Sequence, residues 1–384
     1  MAGATGSLLL SAQACEASPR SHATQSRSEP TTTEPDGPLS RLVAIAPPVT
    51  QPVNRPRLES GRGWLHLTWT QHGLGGRGDT LVFTARSLED ARWRDLTSLS
   101  QNVASSSPVF TANAPTRKVA VSWSAPIGGG QLRPWIATTQ DAGRRFSAPE
   151  ILALPTDDSR ASSALIAAPM QPGGPWTAAV PRPVPPRPEV RPTPAVSDAA
   201  SHAWSPLRVP PGAVDDADGG FRALTTCAGG GALGLWCGAA GAASLATIAV
   251  HHPLGEDVRC VPAQRPLVCR GNRIAVALGS ARSRKTWLWA GRSPSSLRRV
   301  ARLPGATAEI IRVDWTDDAH LVAVWIDEAR SLNAMTVAVA DGRVRTTLLA
   351  GEVVEASAAA DAEGETLYLA WTTEIPPDHR PRPL

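Results

Sequence analysis

Tyrosine, phenylalanine and lysine are scarce in this chain of 384 residues. It contains one Tyr, four Phe and 13 Trp, and only Lys118 and Lys285 among its 38 basic residues are lysine. A replacement of Lys by Arg this complete is typical of a bias in genome composition. The pI of about 9.1 is therefore weak evidence for a polyanionic partner. The only tight basic clusters are Arg282–Lys285 and Arg298-Arg299, and no nucleic-acid-binding module accompanies them. We therefore predict no nucleic-acid partner.

The chain also lacks the common catalytic signatures. It has no G-x-S-x-G elbow, no phosphate-binding loop and no dinucleotide fingerprint. The adjacent residues His251 and His252 would point to opposite faces of a strand, and the acidic run Asp215–Asp218 lacks the full ligand set of a calcium loop. We therefore predict no catalytic residue, no metal site and no cofactor.

Four short segments share one pattern, in which alternating apolar residues lead to a Trp. They are LHLTWT ending at Thr70, VAVSWS ending at Ser124, LVAVWI ending at Ile326 and LYLAWT ending at Thr372. A period of two is typical of a strand with one buried face. The Trp residues stand at positions 69, 123, 325 and 371, so the outer gaps are 54 and 46 residues, and the central gap of 202 residues divides into four steps. Each step is about 50 residues, which is the length of a repeat unit.

Three weaker copies lie near the expected positions: WTAAV from Trp176, LGLWC ending at Cys237 and IAVAL from Ile274. Short strands and turns that repeat in this way predict an all-β fold, a β-propeller. Seven Trp-type strands favour seven blades, and six remain an alternative because the last repeat is incomplete and the fifth is weak. Only 12 residues follow Thr372, so the apolar run Arg41–Ile45 is predicted to join the final sheet and close the ring through the two termini.

We predict one propeller domain over residues 39–384. Residues 1–38 are rich in Ser, Thr, Pro and Ala and are predicted to be disordered. The dense prolines at 181–194 predict an extended loop, with a ligand for a partner domain as the alternative. The stretch from Ala223 to Leu254 has no charged residue, but its Gly, Ala, Ser and Thr content favours a buried hairpin over a membrane span.

The N-terminal segment contains an export-like pattern. Leu8–Leu10, followed by Ser-Ala-Gln-Ala and then Cys15, resembles the end of a bacterial lipoprotein signal, in which small residues precede a cysteine that becomes lipidated. Gln13 is unusual at its position and no basic residue precedes the apolar run. The alternative is a chance cysteine in a disordered tail. We expect an exported protein, periplasmic or on the cell surface, with contact to the membrane only through such an anchor.

The other cysteines are Cys227, Cys237, Cys260 and Cys269, an even number. Cys227 and Cys237 flank a Gly-rich turn, and Cys260 and Cys269 flank VPAQRPLV, so two local disulfides are plausible on neighbouring strands. Four cysteines permit three pairings, and the sequence does not choose between them. A zinc site is the rival interpretation, but the spacings do not match the close pairs of structural zinc.

One motif has a known counterpart. Thr139-Gln140-Asp141-Ala142-Gly143-Arg144-Arg145-Phe146 has the form S/T-x-D-x-G-x-x-W/F and resembles the Asp-box of bacterial neuraminidase (BNR) repeats in sialidase-like propellers. In such a turn the carboxylate of Asp141 would accept backbone N–H bonds, Gly143 would permit the backbone conformation, and Phe146 would anchor the turn. Eroded copies occur at 197–204 and, one residue short, at 87–93.

The resemblance implies a sialidase-like propeller, but the catalytic set of sialidases does not transfer. That set has an arginine triad, a Tyr nucleophile paired with a Glu, and an Asp acid/base. Tyr368 is the single tyrosine and lies in a strand pattern, Arg55-Pro56-Arg57 is not the family's Arg-Ile-Pro motif, and no triad can be assigned.

Three functional hypotheses remain. The first is a monomeric, non-catalytic propeller that binds a carbohydrate or a cell-envelope protein. The second is a divergent exo-sialidase or other glycoside hydrolase, which would require three arginines and a carboxylate pair to converge at the centre of the ring. The third is an interaction domain of a membrane-associated complex, with residues 181–194 as the contact.

Overall fold

The computed structural model describes the chain in separate ranges. They are residues 11–16, 39–44, 53–61, 63–71, 79–89, 93–103, 110–113, 118–127, 132–139, 141–152, 165–167, 177–179, 195–197, 204–206, 220–227, 232–238, 242–247, 251–255, 257–305, 307–360 and 366–373. The proline-rich run at 181–194 lies outside them.

The described residues form thirty strands in seven sheets. The first strands are β1 (Ser11–Glu16) and β2 (Leu39–Ala44). Sheet 1 contains β3 (Val53–Gly61), β4 (Trp64–Gln71), β5 (Asp79–Ser87) and β6 (Thr97–Val103). Sheet 2 contains β7 (Phe110–Asn113), β8 (Val119–Pro126), β9 (Leu132–Thr139) and β10 (Glu150–Ile151). Sheet 3 contains β11 (Leu165–Ala167), β12 (Thr177–Ala179), β13 (Ala195–Ser197) and β14 (Trp204–Pro206). Sheet 4 contains β15 (Gly220–Thr226), β16 (Ala232–Cys237), β17 (Ala243–Thr247) and β18 (His251–Pro253).

The remaining strands form three sheets. The next six are β19 (Val258–Arg259), β20 (Ala263–Arg265), β21 (Leu267–Arg270), β22 (Arg273–Ser280), β23 (Ser283–Gly291) and β24 (Arg298–Arg302), and all but β20 belong to sheet 5. Sheet 6 joins β20 to β25 (Thr307–Trp315), β26 (His320–Asp327), β27 (Leu332–Ala338) and β28 (Val344–Ala350). Sheet 7 contains β29 (Val353–Ala360) and β30 (Thr366–Thr373) together with β1 and β2.

These sheets form a β-propeller, as the sequence predicts. The innermost strands of successive sheets contact one another around a ring, which closes between β29 of sheet 7 and β3 of sheet 1. Five sheets have the four-stranded order of a regular propeller blade, and sheets 5 and 6 have five strands each. The uncharged stretch from Ala223 to Leu254 contributes the strands of sheet 4, and no helix within the described ranges is both long and apolar enough to cross a membrane.

Each predicted Trp-type segment overlaps the strand directly outside the ring-lining strand of its sheet. These strands are β4, β8, β12, β16, β22, β26 and β30. Where their side chains are described they are buried on both faces, and Trp69, Trp123 and Trp325 are at most 1% exposed. A strand that lies between two neighbouring sheets is shielded from water on both faces. Its odd-numbered and even-numbered residues are therefore both buried.

The hydrophobic core consists of clusters between neighbouring sheets. One cluster joins sheets 1 and 2 around Phe83 and Trp123, and another joins sheets 1 and 7 around Leu67 and Tyr368. Further clusters join sheet 7 to 6, 6 to 5, and 5 to 4. Among the described side chains, the apolar clusters therefore lie between sheets rather than within one sheet.

The N-terminal strands complete the last sheet. The order of sheet 7 is β2-β1-β30-β29, and β1 pairs antiparallel with β30 from Ser11 opposite Trp371 to Glu16 opposite Thr366. The predicted run at 41–45 overlaps β2, as expected. The prediction that residues 1–38 lie wholly outside the fold is wrong at Ser11–Glu16. The physical reason is that β30 would otherwise present an open edge, which the small residues of β1 can cover.

The cysteines pair between sheets rather than locally. Cys227 is bonded to Cys269 and Cys237 to Cys260, with Cα–Cα distances of 5.1 and 6.0 Å. The local pairing fails because Gly220 is opposite Cys237 in the β15–β16 hairpin, which places Cys227 near the other end of that hairpin. Five or six residues of strand separate such ends by about 17–20 Å. Two disulfides indicate an oxidising compartment.

We predict that trypsin digestion of the unreduced protein shows that the disulfides join the two sheets and are not local. Cleavage after Arg222, Arg259 and Arg270 places Cys227 and Cys237 in one peptide and Cys260 and Cys269 in the next. The two peptides should remain joined until reduction, as mass spectrometry can show. Two separate peptides, each closed on itself, would contradict the structure.

Removal of the shorter cross-link should also destabilise the protein. Replacing Cys237 and Cys260 by Ser is expected to lower the free energy of unfolding by about 3 kcal/mol, because the cross-link restrains the unfolded chain. Cys15→Ser removes a cysteine that is in neither disulfide and is the control. Urea denaturation of the three proteins checks this.

Candidate functional site

Charged side chains line the innermost strands of two sheets. Arg57 and Glu59 alternate on β3, and Arg312 and Asp314 alternate on β25. Alternate residues of a strand point to the same side, so each arginine lies beside a carboxylate. Glu59, Arg312 and Asp314 are no more than 9% exposed. The ring therefore encloses charges of both signs.

A segment of sheet 5 leaves its own sheet and enters the centre of the ring. Arg259 pairs with Gly279 and Leu267 pairs with Val276 on β22, so the residues between them are extruded from the ladder. Within this channel segment, Cys260–Pro266, strand β20 runs parallel to β25 of sheet 6 and also contacts β15 of sheet 4. It therefore crosses the channel between the innermost strands.

Side chains of the channel segment bind the opposite side of the ring. Arg57 Nη1 donates to Gln264 Oε1 at 2.6 Å, and Gln264 Nε2 donates to the Ala356 carbonyl at 2.9 Å. Arg265 forms an ion pair with Glu59. We call Arg57, Glu59, Gln264, Arg265, Arg312 and Asp314 the channel cluster. It links sheets 1, 6 and 7 through a segment that belongs in sequence to sheet 5.

Arg312 and Asp314 form the most buried ion pair of the channel cluster. Arg312 Nε and Nη2 both donate to Asp314 Oδ2, at 2.8 and 2.6 Å, and Arg312 Nη1 donates to the Ala358 carbonyl at 3.1 Å. Burial opposes the charge of Arg312, but Asp314 and Glu59 outweigh it and raise the pKa of Arg312. The guanidinium thus donates three hydrogen bonds to groups of its own chain.

The charged form of Glu59 is less favoured than that of Arg312. Burial raises the pKa of Glu59, and the opposing attraction of Arg265 and Arg312 does not cancel that effect. Burial likewise raises the pKa of Glu309, which lies near Gln264 and Arg57. Enclosing a carboxylate costs free energy even when an arginine lies beside it. The channel cluster therefore contributes more to fixing the position of the channel segment than to the free energy of unfolding.

A histidine that the sequence did not single out lies beside Glu59. His66 is opposite Glu59 in the β3–β4 ladder, is 2% exposed and stacks on Phe83 with ring centroids 5.9 Å apart. Burial, together with the positive charge of Arg94, lowers the pKa of His66 to about 3. His66 is therefore uncharged at neutral pH.

The arginines converge as a divergent hydrolase would require, but each has a partner within the chain. Arg57 binds Gln264, Arg265 pairs with Glu59 and Arg312 binds Asp314. Tyr368 lies in β30 and packs in the apolar cluster between sheets 1 and 7. The geometry does not place the tyrosine with the arginines as a nucleophile.

The Asp-box turn has the geometry that its residues predict. The Thr139 hydroxyl donates to Asp141 Oδ1 at 2.6 Å, and the N–H of Arg145 donates to the same oxygen at 3.0 Å. The N–H of Gly143 donates to Thr139 Oγ1 at 3.2 Å, and Thr139 bridges to Phe146. Slight burial opposes ionisation, but these donors hold the pKa of Asp141 below its ordinary value.

The Asp-box turn also fastens sheet 2 to sheet 1. Phe146 meets Phe83 edge to face with centroids 4.7 Å apart. Arg94 Nη1 donates to the Ala142 carbonyl at 3.1 Å, while its guanidinium lies 3.9 Å from the Trp64 ring centroid. These contacts hold the turn of sheet 2 against sheet 1.

The eroded copies occupy equivalent places. Arg86 bridges to Trp93, and Ser197 pairs with Trp204, each with the spacing of Thr139 and Phe146. The bridge of Arg86 to Trp93 therefore spans as many residues as that of Thr139 to Phe146.

The remaining predicted residues are dispersed. Cys15 lies in β1 opposite Leu367, so cleavage of a lipoprotein signal before it would remove Ser11–Ala14 from sheet 7. In the described ranges, no group of three or more His, Cys, Asp or Glu side chains is placed to hold a metal. Asp215–Asp218 lie outside those ranges.

Sequence reasoning did not find the channel cluster, although part of its signal is present. Arg57-Leu58-Glu59 and Arg312-Val313-Asp314 repeat the form R-x-[D/E] shortly before a Trp-type strand. Gln264 and Arg265 carry no such signal, because their place depends on the excursion of the channel segment from sheet 5.

Comparison with known proteins supports the fold alone. No family model matches the sequence, and no curated protein matches it. A prolyl endopeptidase structure is similar with a TM-score of 0.54 and 8% identity, over 84% of this chain and 47% of that chain. An acylaminoacyl peptidase of Pyrococcus horikoshii has a TM-score of 0.46 and 10% identity, over 81% and 48% of the two chains.

A third similar structure is the β-propeller domain of the Trilobed protease of Pyrococcus furiosus. Its TM-score is 0.47 at 10% identity, over 86% of this chain and 99% of that domain. The chain spans about half the length of the first two peptidases. Of these three, only the prolyl endopeptidase has a TM-score above 0.5, and at 8% identity that likeness concerns the fold and says nothing of activity.

We predict that the buried ion pair matters far more than a surface pair of the same spacing. Arg312→Ala should lower the free energy of unfolding by about 3–5 kcal/mol, because Asp314 would be left buried without its partner. Arg343 and Asp341 form an equivalent pair on the surface, at 2.5 Å, with Arg343 85% exposed. Arg343→Ala should therefore leave stability unchanged within error. Equal losses in urea denaturation would contradict this account.

We also predict a large effect at the glycine of the Asp-box. Gly143 has φ +90°, and a Cβ there would lie 2.3 Å from Cε1 of the buried Phe83. Gly63 has φ +78° with no atom within 4 Å of its Cβ position, so it is the control. Gly63→Ala should cost about 1 kcal/mol from backbone strain alone. Gly143→Ala should cost a further ~1–3 kcal/mol from overpacking, as thermal denaturation can measure.

Proposed function

We propose that this chain is an exported, non-catalytic β-propeller that binds a carbohydrate or a cell-envelope protein through its outer surfaces. The observation that supports this proposal is the pairing of the charged side chains in the channel. The arginines that converge there are paired with groups of the same chain, and the channel segment crosses the ring between them. A ligand carboxylate would have to displace these internal partners. Binding at outer surfaces has no such cost.

We propose seven blades. Five regular four-stranded sheets account for five of them, and sheets 5 and 6 are counted as blades with one additional inner strand each. The support is that each Trp-type segment lies in a different sheet. The same seven sheets supply the innermost strands of the closed ring.

We propose membership of the sialidase-like BNR-repeat propellers. The Asp-box turn of Thr139, Asp141, Gly143 and Phe146 supports it, since both its hydrogen bonds and its aromatic anchor agree with the motif. The equivalent placement of the turns that end at Trp93 and Trp204 supports it further. A lipid anchor at Cys15, a monomeric state and a role for residues 181–194 in a membrane-associated complex remain proposals.

A divergent exo-sialidase or glycoside hydrolase is the second candidate. One observation favours it, which is that Arg57, Arg265 and Arg312 lie with Glu59 and Asp314 inside the ring. The partners of the arginines and the packing of Tyr368 in an apolar cluster weigh against it. Convergence of charge at a propeller centre also has a structural explanation here, because the channel cluster holds the channel segment.

The test is hydrolysis of a fluorogenic sialoside by the full chain with its disulfides intact. We expect no turnover above that of Arg265→Ala, with Arg343→Ala as the surface control. We expect instead that the full chain binds at least one glycan on a glycan array. Turnover that Arg265→Ala abolishes and Arg343→Ala preserves would overturn the non-catalytic assignment. Absence of both turnover and glycan binding would refute the carbohydrate branch and leave the envelope-protein branch.

A further inference from the structure

Sheet 5 has an unusual charge distribution. Between Asp257 and Glu309 the sequence contains no acidic residue. The same stretch contains eleven basic residues: Arg259, Arg265, Arg270, Arg273, Arg282, Arg284, Lys285, Arg292, Arg298, Arg299 and Arg302. A small overall net charge conceals this local excess, because the acidic residues lie elsewhere in the chain.

Three of these basic residues have carboxylate partners from outside the stretch. Arg265 pairs with Glu59, Arg273 with Asp318 and Arg282 with Asp257. Lys285, Arg298, Arg299 and Arg302 are exposed on the outer strands of sheet 5, and within the described part of the chain none of them has a carboxylate at ion-pair distance. The excess positive charge is thus concentrated at the outer side of sheet 5.

The fold brings the two basic clusters of the sequence together. Strands β23 and β24 pair antiparallel, with Trp287 opposite Arg302 and Trp289 opposite Arg299. Directly opposite residues share a face, and Lys285 has the same parity as the two tryptophans. We call Lys285, Trp287, Trp289, Arg299 and Arg302 the basic face of sheet 5. Its intervening residues Thr286, Leu288 and Ala290 are buried on the other side.

The basic face combines cations with aromatic rings. The guanidinium of Arg299 lies 5.3 Å from the Trp287 ring centroid and 5.1 Å from that of Trp289. Trp289 also packs against the core between sheets 4 and 5, whereas Trp287 belongs to no core cluster of the described residues. Trp289 therefore anchors the basic face, and half-buried Trp287 is the ring that a ligand can reach.

We propose that the basic face of sheet 5 binds an acidic polysaccharide. This rests on the proposed carbohydrate-binding function and specifies where it occurs and which ligand class it takes. The apolar side of a sugar ring can stack on Trp287. Guanidinium groups bind carboxylates in a bidentate manner, and on the neighbouring strand Arg302 lies opposite Trp287 while Arg299 lies opposite Trp289. An oxidising compartment, indicated by the two disulfides, favours a glycan over a nucleic acid.

The test uses polygalacturonate as the probe, with uncharged dextran for comparison, and measures affinity by calorimetry. The double variant Arg299→Gln, Arg302→Gln should weaken polygalacturonate binding by about tenfold, the effect of removing two exposed charge contacts. Arg343→Gln, Arg345→Gln makes the same charge change at the outer strand of sheet 6 and should leave affinity within twofold of the wild type. Trp287→Ala should weaken binding several-fold while leaving the salt dependence unchanged.

The outcomes separate the two proposals. Equal loss in both double variants, or none in either, would show that net charge rather than the basic face binds the polymer and would overturn the inference. Tighter binding to single-stranded DNA than to polygalacturonate, lost in Arg299→Gln, Arg302→Gln, would also overturn it, because the ligand class would be wrong. Binding to a neutral glycan that survives both double variants would refute the basic face alone and leave the proposed carbohydrate function intact.

Discussion

The structure depends on burial of both faces of each sheet. In β4, β8, β16 and β26 the buried residues form unbroken runs, so each of these strands is covered on both faces. A single sheet of this kind would leave one or both surfaces in water. A ring supplies every sheet with two neighbours, and this constraint requires that the last sheet meet the first.

Closure of the ring explains the use made of the N-terminal segment. Sheet 7 has only β29 and β30 from the C-terminal part of the chain, and β1 and β2 provide its outer strands. The contact between β29 and β3 then completes the innermost circle. The same segment resembles an export signal, because small residues near Cys15 suit both a signal and a strand that covers an edge.

Sheet 5 concentrates the features that distinguish this propeller. Its first strand is interrupted, and the extruded channel segment carries Gln264 and Arg265 to the innermost strands of other sheets. The disulfides at Cys260 and Cys269 tie both ends of this excursion to sheet 4. Its outer strands carry the basic face. The inner side of sheet 5 therefore organises the channel, and its outer side is open to a ligand.

The sequence alone determined the class of the fold and the place of each Trp-type strand, because burial imposes an apolar pattern at fixed positions of every repeat. It also determined the Asp-box turn, since Thr139, Asp141 and Gly143 act within eight residues. It did not determine the disulfide pairing, the entry of Gln264 and Arg265 into the channel, or the meeting of Lys285 with Arg299 and Arg302. These three features depend on which strands are neighbours and on which ends of the hairpins lie together. Only the tertiary structure decides such distances between residues far apart in the chain.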